Sequence, residues 1–352
     1  MMTRRRMVAL AGLSLAALIA TPALSCTTVC LLDGARPVVA YNYDFDPPEG
    51  LVLVNKRGMA KQSALRAQPA TWTAAYGSVT FNQFGRDNPT TGVNEKGLMI
   101  SLMWLDETRY PAADHRPAIG ILEWIQYNLD RHASVAEALA AGEAVRPMSR
   151  IPIHYLFADA TGDVAVVEFL DGKLVAHRGQ TLPVRALANS TYEASLAALG
   201  TATRRGDVPT SLSSLDRFVR AAVLARSAAA DPIARGFEIL ASVAQPNFTR
   251  WSLVYDLGAG EIHFRTDGNS AIRRVALSGL DFSCGTPVKM LDVTAAGAGD
   301  VTRDFADYTL AANRALIEAS FTKTPFLRAI PAAARDAAAA HPETTSSCAA
   351  PR

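Results

Sequence analysis

The stretch Ala23-Leu24-Ser25-Cys26-Thr27-Thr28-Val29-Cys30-Leu31-Leu32-Asp33-Gly34-Ala35-Arg36-Pro37-Val38-Val39-Ala40-Tyr41-Asn42-Tyr43-Asp44-Phe45 decides how the rest of the chain is read. Thr28 to Leu32, the Asp33-Gly34 signal and Pro37 to Tyr43 predict a strand, a tight turn and a second strand. Upstream, Arg4, Arg5 and Arg6 form a basic region, and Met7 to Ala20 form an apolar one. Ala23-Leu24-Ser25 supplies the small residues that a signal peptidase cuts behind. The apolar run of about 14 residues is short of the roughly 20 a membrane-spanning helix needs. Residues 1–25 are therefore expected to be a removable secretory signal and the protein periplasmic or secreted, with no stable membrane span. Cys26 would then open the mature chain.

That position matters chemically. A thiol attacks only as its thiolate, so it needs a base. A chain-terminal residue carries one, since a free α-amine has a pKa near ~8. The amine can take the thiol proton and later return it to a leaving amine, with no histidine required. None of His115, His132, His154, His177, His263 or His341 stands in a recognisable cysteine-protease setting. Two other readings of Cys26 stay open at this point: a lipid attachment site and an inert cysteine. A lipobox expects Leu three residues before the Cys, whereas the order here is Ala23-Leu24-Ser25.

Working outward, the 352 residues are 49% hydrophobic and 19% charged, enough to bury a substantial core. The formal charge is +2; without Arg4, Arg5 and Arg6, 32 basic side chains remain against 33 acids. A nearly neutral mature chain gives no electrostatic case for nucleic acid or an anionic membrane surface. Cys30 reads as a buried strand residue, and pairing between Cys284 and Cys348 is left open. Strands are expected at Gly97 to Trp104, Ile153 to Phe157, Asp163 to Leu170, Lys173 to His177, Ser252 to Leu257 and Glu261 to Thr266. Helices are expected from Pro117 through Leu129, from the Ser134 capping box, along Leu212 to Val223, from Asp231-Pro232 and over Phe305 to Ser320. This order lacks the strict alternation of a doubly wound sheet and fits an α+β sandwich, two antiparallel sheets between helix layers. Residues 331–352, rich in Ala and then in Ser, Thr and Pro, are expected to be a loose tail.

Several motifs in fixed order then add a resemblance. Cys26-Thr27-Thr28, the Asp33-Gly34 turn and Tyr41-Asn42-Tyr43-Asp44-Phe45 resemble the start of the choloylglycine hydrolase family. Thr91-Gly92-Val93-Asn94-Glu95-Lys96-Gly97-Leu98 is similar to that family's Gly-x-Asn-Glu-Lys-Gly-Leu segment. Ala188-Asn189-Ser190-Thr191, Asp216-Arg217-Phe218 and the Trp251 to Thr266 hairpin also match it in order. The family holds penicillin V acylases, bile salt hydrolases and related linear-amide hydrolases of the N-terminal nucleophile αββα fold. The resemblance spans Cys26 to about Ser320, and the hydrolase domain is expected over 26–330.

The resemblance implies roles for Cys26 as nucleophile, Asp44 as acceptor for its amine or thiol, Asn189 as oxyanion donor and Arg217 as a fixed positive charge. It gives the Trp104 backbone N–H a share of the oxyanion, and it puts Phe45, Trp104 and Tyr41 on the substrate wall. Without it, Asp44 reads as a solvated strand end, Asn189 as an Asx turn, Arg217 as a surface ion-pair partner and Trp104 as core packing. One position departs from the family: Tyr41 stands where an Arg usually precedes the Asp by three residues, and a phenol cannot lower a thiol pKa by charge. The expected activity is hydrolysis of a linear amide carrying an apolar or aromatic acyl group, of the penicillin V or acyl-homoserine lactone class. No metal or organic cofactor is expected, since HExxH and CxxC patterns are absent. The partner is a small-molecule amide, and the family implies a homotetramer. Two alternatives remain on the same scaffold: a lipid-anchored, inactive or binding protein, and a thiol transacylase.

Overall fold

The structure, a computed structural model, describes residues 26–33, 36–227 and 229–349. The expected signal at 1–25 and Gly34 of the expected turn lie outside the described residues. Strands are numbered along the chain. Among the described residues one sheet has seven strands in the order β14 (Ala186–Leu187), β1 (Thr27–Asp33), β2 (Arg36–Asp44), β15 (Thr249–Asp256), β16 (Glu261–Thr266), β17 (Arg273–Ala276) and β19 (Gly299–Asp300). A second has nine: β13 (Lys173–Arg178), β12 (Val164–Leu170), β11 (Ile153–Ala158), β8 (Met99–Trp104), β7 (Thr91–Asn94), β6 (Ser78–Asn82), β3 (Leu51–Asn55), β18 (Lys289–Asp292) and β20 (Ala306–Asp307). Smaller ladders join β21 (Ser347–Cys348) to β4 (Met59–Gln62) and β5 (Thr71–Thr73), and β9 (Ala118–Gly120) to β10 (Arg146–Met148).

The side-chain period of two explains the layering. On β2, Ala40 and Asn42 face outward: the Asn42 amide donates to Leu240 O at 2.8 Å on helix α5 (Pro232–Val243). Tyr41 and Tyr43 face inward, bonding Leu102 O and Gln83 of the second sheet's side. Helices α3 (Tyr192–Arg205), α4 (Ser214–Leu224) and α5 therefore cover the first sheet. On the far face of the second, α1 (Ile121–Arg131) and α2 (Val135–Ala140) bury Trp124, Ile125 and Val135 against Tyr155, Phe157 and Val167. The result is the expected αββα sandwich.

Local chemistry sets the element ends. Asp171 and Gly172 both take positive φ (51° and 76°), the pair a two-residue hairpin turn needs, and they join β12 to β13 as expected. The Asp231 carboxylate caps Ile233 and Ala234, with Pro232 at the first helical position. Two expectations shift. Pro117 does not open α1; the Arg146 N–H is bonded to its carbonyl, the chain runs on as β9, and the helix starts at Ile121. The last expected helix begins later, at Leu310, where Thr309 provides the cap, and runs to Lys323 as α6.

The C-terminal expectation needs correction. Of the residues 331–352 expected as a loose tail, those described, 331–349, are not one: Ala332–Thr345 forms α7, which packs antiparallel to α6 with Ala339 and Pro342 buried. The Asn313 amide donates to Ala339 O at 2.9 Å, and Cys348 is disulfide-bonded to Cys284. Ser347 and Cys348 pair with Ala60 and Met59. An alanine helix gains little from its own side chains, so this segment is ordered by what it docks on. No helix among the described residues is long and apolar enough to cross a membrane.

Candidate active site

Cys26 stands at the mouth of β1, and the register Thr27↔Asn42 brings it beside Asp44 at the end of β2. Three further elements reach the same point. Trp104 ends β8, Asn189 follows β14, and Arg217 lies on the first turns of α4, whose N-cap Ser213 accepts from the Asp216 N–H. Cys26, Asp44 and Arg217 are buried.

Arg217 is the hub. Its Nη1 donates to the Cys26 carbonyl at 2.9 Å and to Thr27 Oγ1, and its Nη2 donates to Asn189 Oδ1 at 2.8 Å. Burial lowers its pKa, while Asp44 and Cys26 act in the opposite sense. The planar guanidinium thus serves two elements at once, which an ammonium would do poorly. Asn189 is fixed from behind as well, its N–H donating to Ser214 Oγ at 2.8 Å. Its Nδ2 donates to Trp104 O at 2.9 Å, and a primary amide has a second hydrogen for another acceptor.

The Trp104 backbone is turned the same way. Leu105 N–H bonds Pro152 O, which makes the next pair along, Trp104 with Ile153, a non-hydrogen-bonded pair. The N–H and C=O of Trp104 therefore both point to the opposite edge, beyond the start of β7 at Thr91, where its carbonyl meets Asn189. Its N–H and the Asn189 amide thus lie on the same edge of β8. The indole is half-buried and donates to Asp106 at 2.6 Å.

Burial, followed by the neighbouring Asp44 charge, pushes the Cys26 thiol up to about 12. The Asp44 backbone N–H, the Tyr41 hydroxyl and Arg217 oppose this. Tyr41 Oη lies 3.7 Å from the sulfur and 3.0 Å from Leu102 O, so one phenolic hydrogen serves two acceptors. Among the described residues both groups bonded to the sulfur are donors, and neither can act as its base. Asp44 is also buried, and burial raises its carboxyl to about 6 against the opposing bonds from Thr249 Oγ1 (2.6 Å) and Gln245 Nε2 (2.9 Å).

The sulfur opens into a cavity of about 1220 Å³ lined by Cys26, Asp44, Phe45, Trp104 and many apolar side chains. Phe45 and Trp104 stand on its wall. Tyr41, expected there too, does not: it is fully buried with its hydroxyl held on Leu102 O, whereas Tyr43, two residues on along the same face of β2, reaches the cavity. The sequence reading missed Thr249 and Gln245, the two donors on Asp44, and Thr27, which shares Arg217. It also missed Phe84, Phe321 and Phe326 on the cavity wall. Thr27 could have been found from its place beside Cys26; the others carry no local signal. Among the described residues no cluster of three or more His, Cys, Asp or Glu is arranged to hold a metal ion.

The chain is also similar to known proteins. Residues 26–193 match the model of linear amide C–N hydrolases, choloylglycine hydrolase family. A penicillin V acylase of Pectobacterium atrosepticum is 30% identical over 223 residues, covering 56% of this chain and 59% of that protein. The chain thus spans a little over half the length of this curated relative. The structure of penicillin V acylase from Agrobacterium tumefaciens superposes with a TM-score of 0.73 at 29% identity, covering 81% of this chain and 98% of that one. A variant of conjugated bile acid hydrolase from Clostridium perfringens shares the fold, with a TM-score of 0.64 at 17% identity over 77% of this chain and 99% of that one.

Proposed function

Because the chain belongs to the choloylglycine hydrolase family of linear amide C–N hydrolases, we propose that it is an exported amidase. Its nucleophile is Cys26, freed as the first residue by cleavage after Ser25. The observation that carries this reading is the connected set on one strand end: the buried thiol, Asp44 beside it, and Arg217 bridging Cys26 to Asn189. Among the described residues the groups bonded to this thiol, which burial pushes up to about 12, are donors, and the Cys26 nitrogen is an amide as long as Ser25 precedes it. Cleavage would supply an α-amine at that atom.

The steps follow. The α-amine takes the thiol proton, and the sulfur attacks the amide carbonyl. The negative charge gathers on the carbonyl oxygen, facing the Asn189 amide and the Trp104 N–H. The intermediate collapses with the proton passing to the leaving amine, leaving a thioester on Cys26. Water, deprotonated by the same amine, then releases the acid. Asp44 accepts from the α-ammonium and holds it beside the sulfur. Arg217 keeps Cys26 and Asn189 in register.

The substrate reading is an apolar or aromatic acyl group on a small polar amine, of the penicillin V or N-acyl-homoserine lactone class rather than the bile salts. The Trp104 indole and the aromatic wall support it. The test is incubation of the processed protein with one member of each class, scored for free amine. Cleavage of conjugated bile salts alone would overturn the substrate assignment.

A further inference from the structure

The apolar part of the Cys26 cavity is built by two separate regions of the chain. Phe45, Phe84 and Trp104 come from the sandwich, whereas Phe321 lies on α6 and Phe326 in the link between α6 and α7. The five rings form one connected patch. Phe326 is 6.3 Å from both Phe45 and Trp104, Phe45 is 5.8 Å from Phe84, and Phe84 is 6.3 Å from Phe321. All five line the cavity that Cys26 opens into, and none is buried; Phe326 is 46% exposed. A contiguous patch of solvent-facing aromatic rings signals something to be covered. Here it is continuous with the nucleophile.

The hairpin that brings Phe321 and Phe326 is fastened on several sides. Asn313 Oδ1 accepts from the Arg86 N–H at 2.9 Å, Ser320 Oγ donates to Gln83 O at 2.5 Å, and His341 Nε2 sits 2.8 Å from Gln62 O. The Cys284–Cys348 disulfide closes the far end. Gln83 and Arg86 flank Phe84, so the same anchors set the hairpin rings against the sandwich rings.

Resting on the proposed amide hydrolysis at Cys26, we infer that the α6–α7 hairpin selects the acyl group, with Phe326 as the residue that grips its apolar end. A flat or extended apolar acyl arm lies between Phe326 and the Phe45 and Trp104 rings once its carbonyl is at the sulfur. Its burial covers a ring that the free protein leaves in water.

The test compares kcat/KM for the phenylacetyl and acetyl amides of one arylamine in the wild type, Phe326→Ala and Phe326→Leu. The phenylacetyl-to-acetyl ratio is expected to fall about tenfold in Phe326→Ala and to recover partly in Phe326→Leu. A ratio in Phe326→Ala within twofold of wild type overturns the inference. Should the wild type cleave no amide, the proposed function fails, and the inference is then decided by calorimetric binding of phenylacetate. About tenfold weaker binding to Phe326→Ala supports a gripping role, and equal affinity overturns it.

Discussion

Arg217 donates to the Asn189 side-chain oxygen at 2.8 Å, which ties the proposed oxyanion donor to the guanidinium that also holds the Cys26 carbonyl. With its oxygen taken by Arg217, the Asn189 amide can turn only its nitrogen toward the substrate, so the rotamer is not left to chance. The first prediction follows. Arg217→Lys, which cannot serve both groups in one plane, is expected to lower kcat about 100-fold. Asn189→Ala is expected to lose about the same, and the double variant little more than either alone, because the two act as a unit. Full additivity in steady-state kinetics would show that they act independently.

The second prediction concerns acid. Asp44 must be a carboxylate to accept from the α-ammonium, and burial raises it to about 6 while Thr249 and Gln245 pull the other way. Acidification through that range protonates it, so kcat/KM should fall on the acid side. Thr249→Val removes a donor that favours the charged form, which raises the Asp44 pKa. Its acid limb should therefore move to higher pH by about half a unit or more. Profiles from pH about 4.5 to 8 check this; an unmoved or lowered limb contradicts it.

Tyr41 yields the third. Its hydroxyl lowers the thiol pKa by hydrogen bonding and also satisfies Leu102 O. Tyr41→Phe should raise the pKa at which iodoacetamide alkylates Cys26 and destabilise the fold by about 1–3 kcal/mol through the orphaned carbonyl. An unchanged alkylation profile would remove Tyr41 from the account of the thiol.

The fourth tests the C-terminal staple. Cys284 and Cys348 are 64 residues apart in sequence. Cross-linking a loop of that size is worth about 2–4 kcal/mol by loss of unfolded-state freedom. Cys348→Ser should lower stability by that order in urea unfolding. A loss below about half a kcal/mol would mean that the hairpin is held by its hydrogen bonds alone.

The sequence reading reached the sandwich because its strands announce themselves: β1, β2, β8, β11 to β13, β15 and β16 are apolar, β-branched runs closed by turn residues. It missed β3 and β6, where polar residues are buried as fully as apolar ones. Asn55 donates to Ser78 and Thr80, and Asn82 to Thr80, so the ladder is satisfied across strands in a way no single segment reveals. It also missed α3, whose signals, the Thr191 cap and the left-handed Gly206 after Arg205, bracket a weakly patterned stretch. The C-terminal helix escaped because Ala-rich composition with an internal Pro342 gives no apolar stripe, and its partners Asn313, Gln62 and Cys284 lie far back in the chain. Cys26 was legible from its place behind the expected cleavage site, whereas Asp44, Asn189 and Arg217 were legible only within an ordered set of motifs; the bonds that join them are made by the fold.

The most direct measurement is intact mass and N-terminal sequencing of the exported, catalytically active protein. The account predicts a chain that begins at Cys26 with a free amine and an unmodified thiol, and that loses activity in the Cys26→Ser form. Active protein that starts at any other residue, or that carries an acyl group on the Cys26 nitrogen or a diacylglyceryl group on its sulfur, would contradict it.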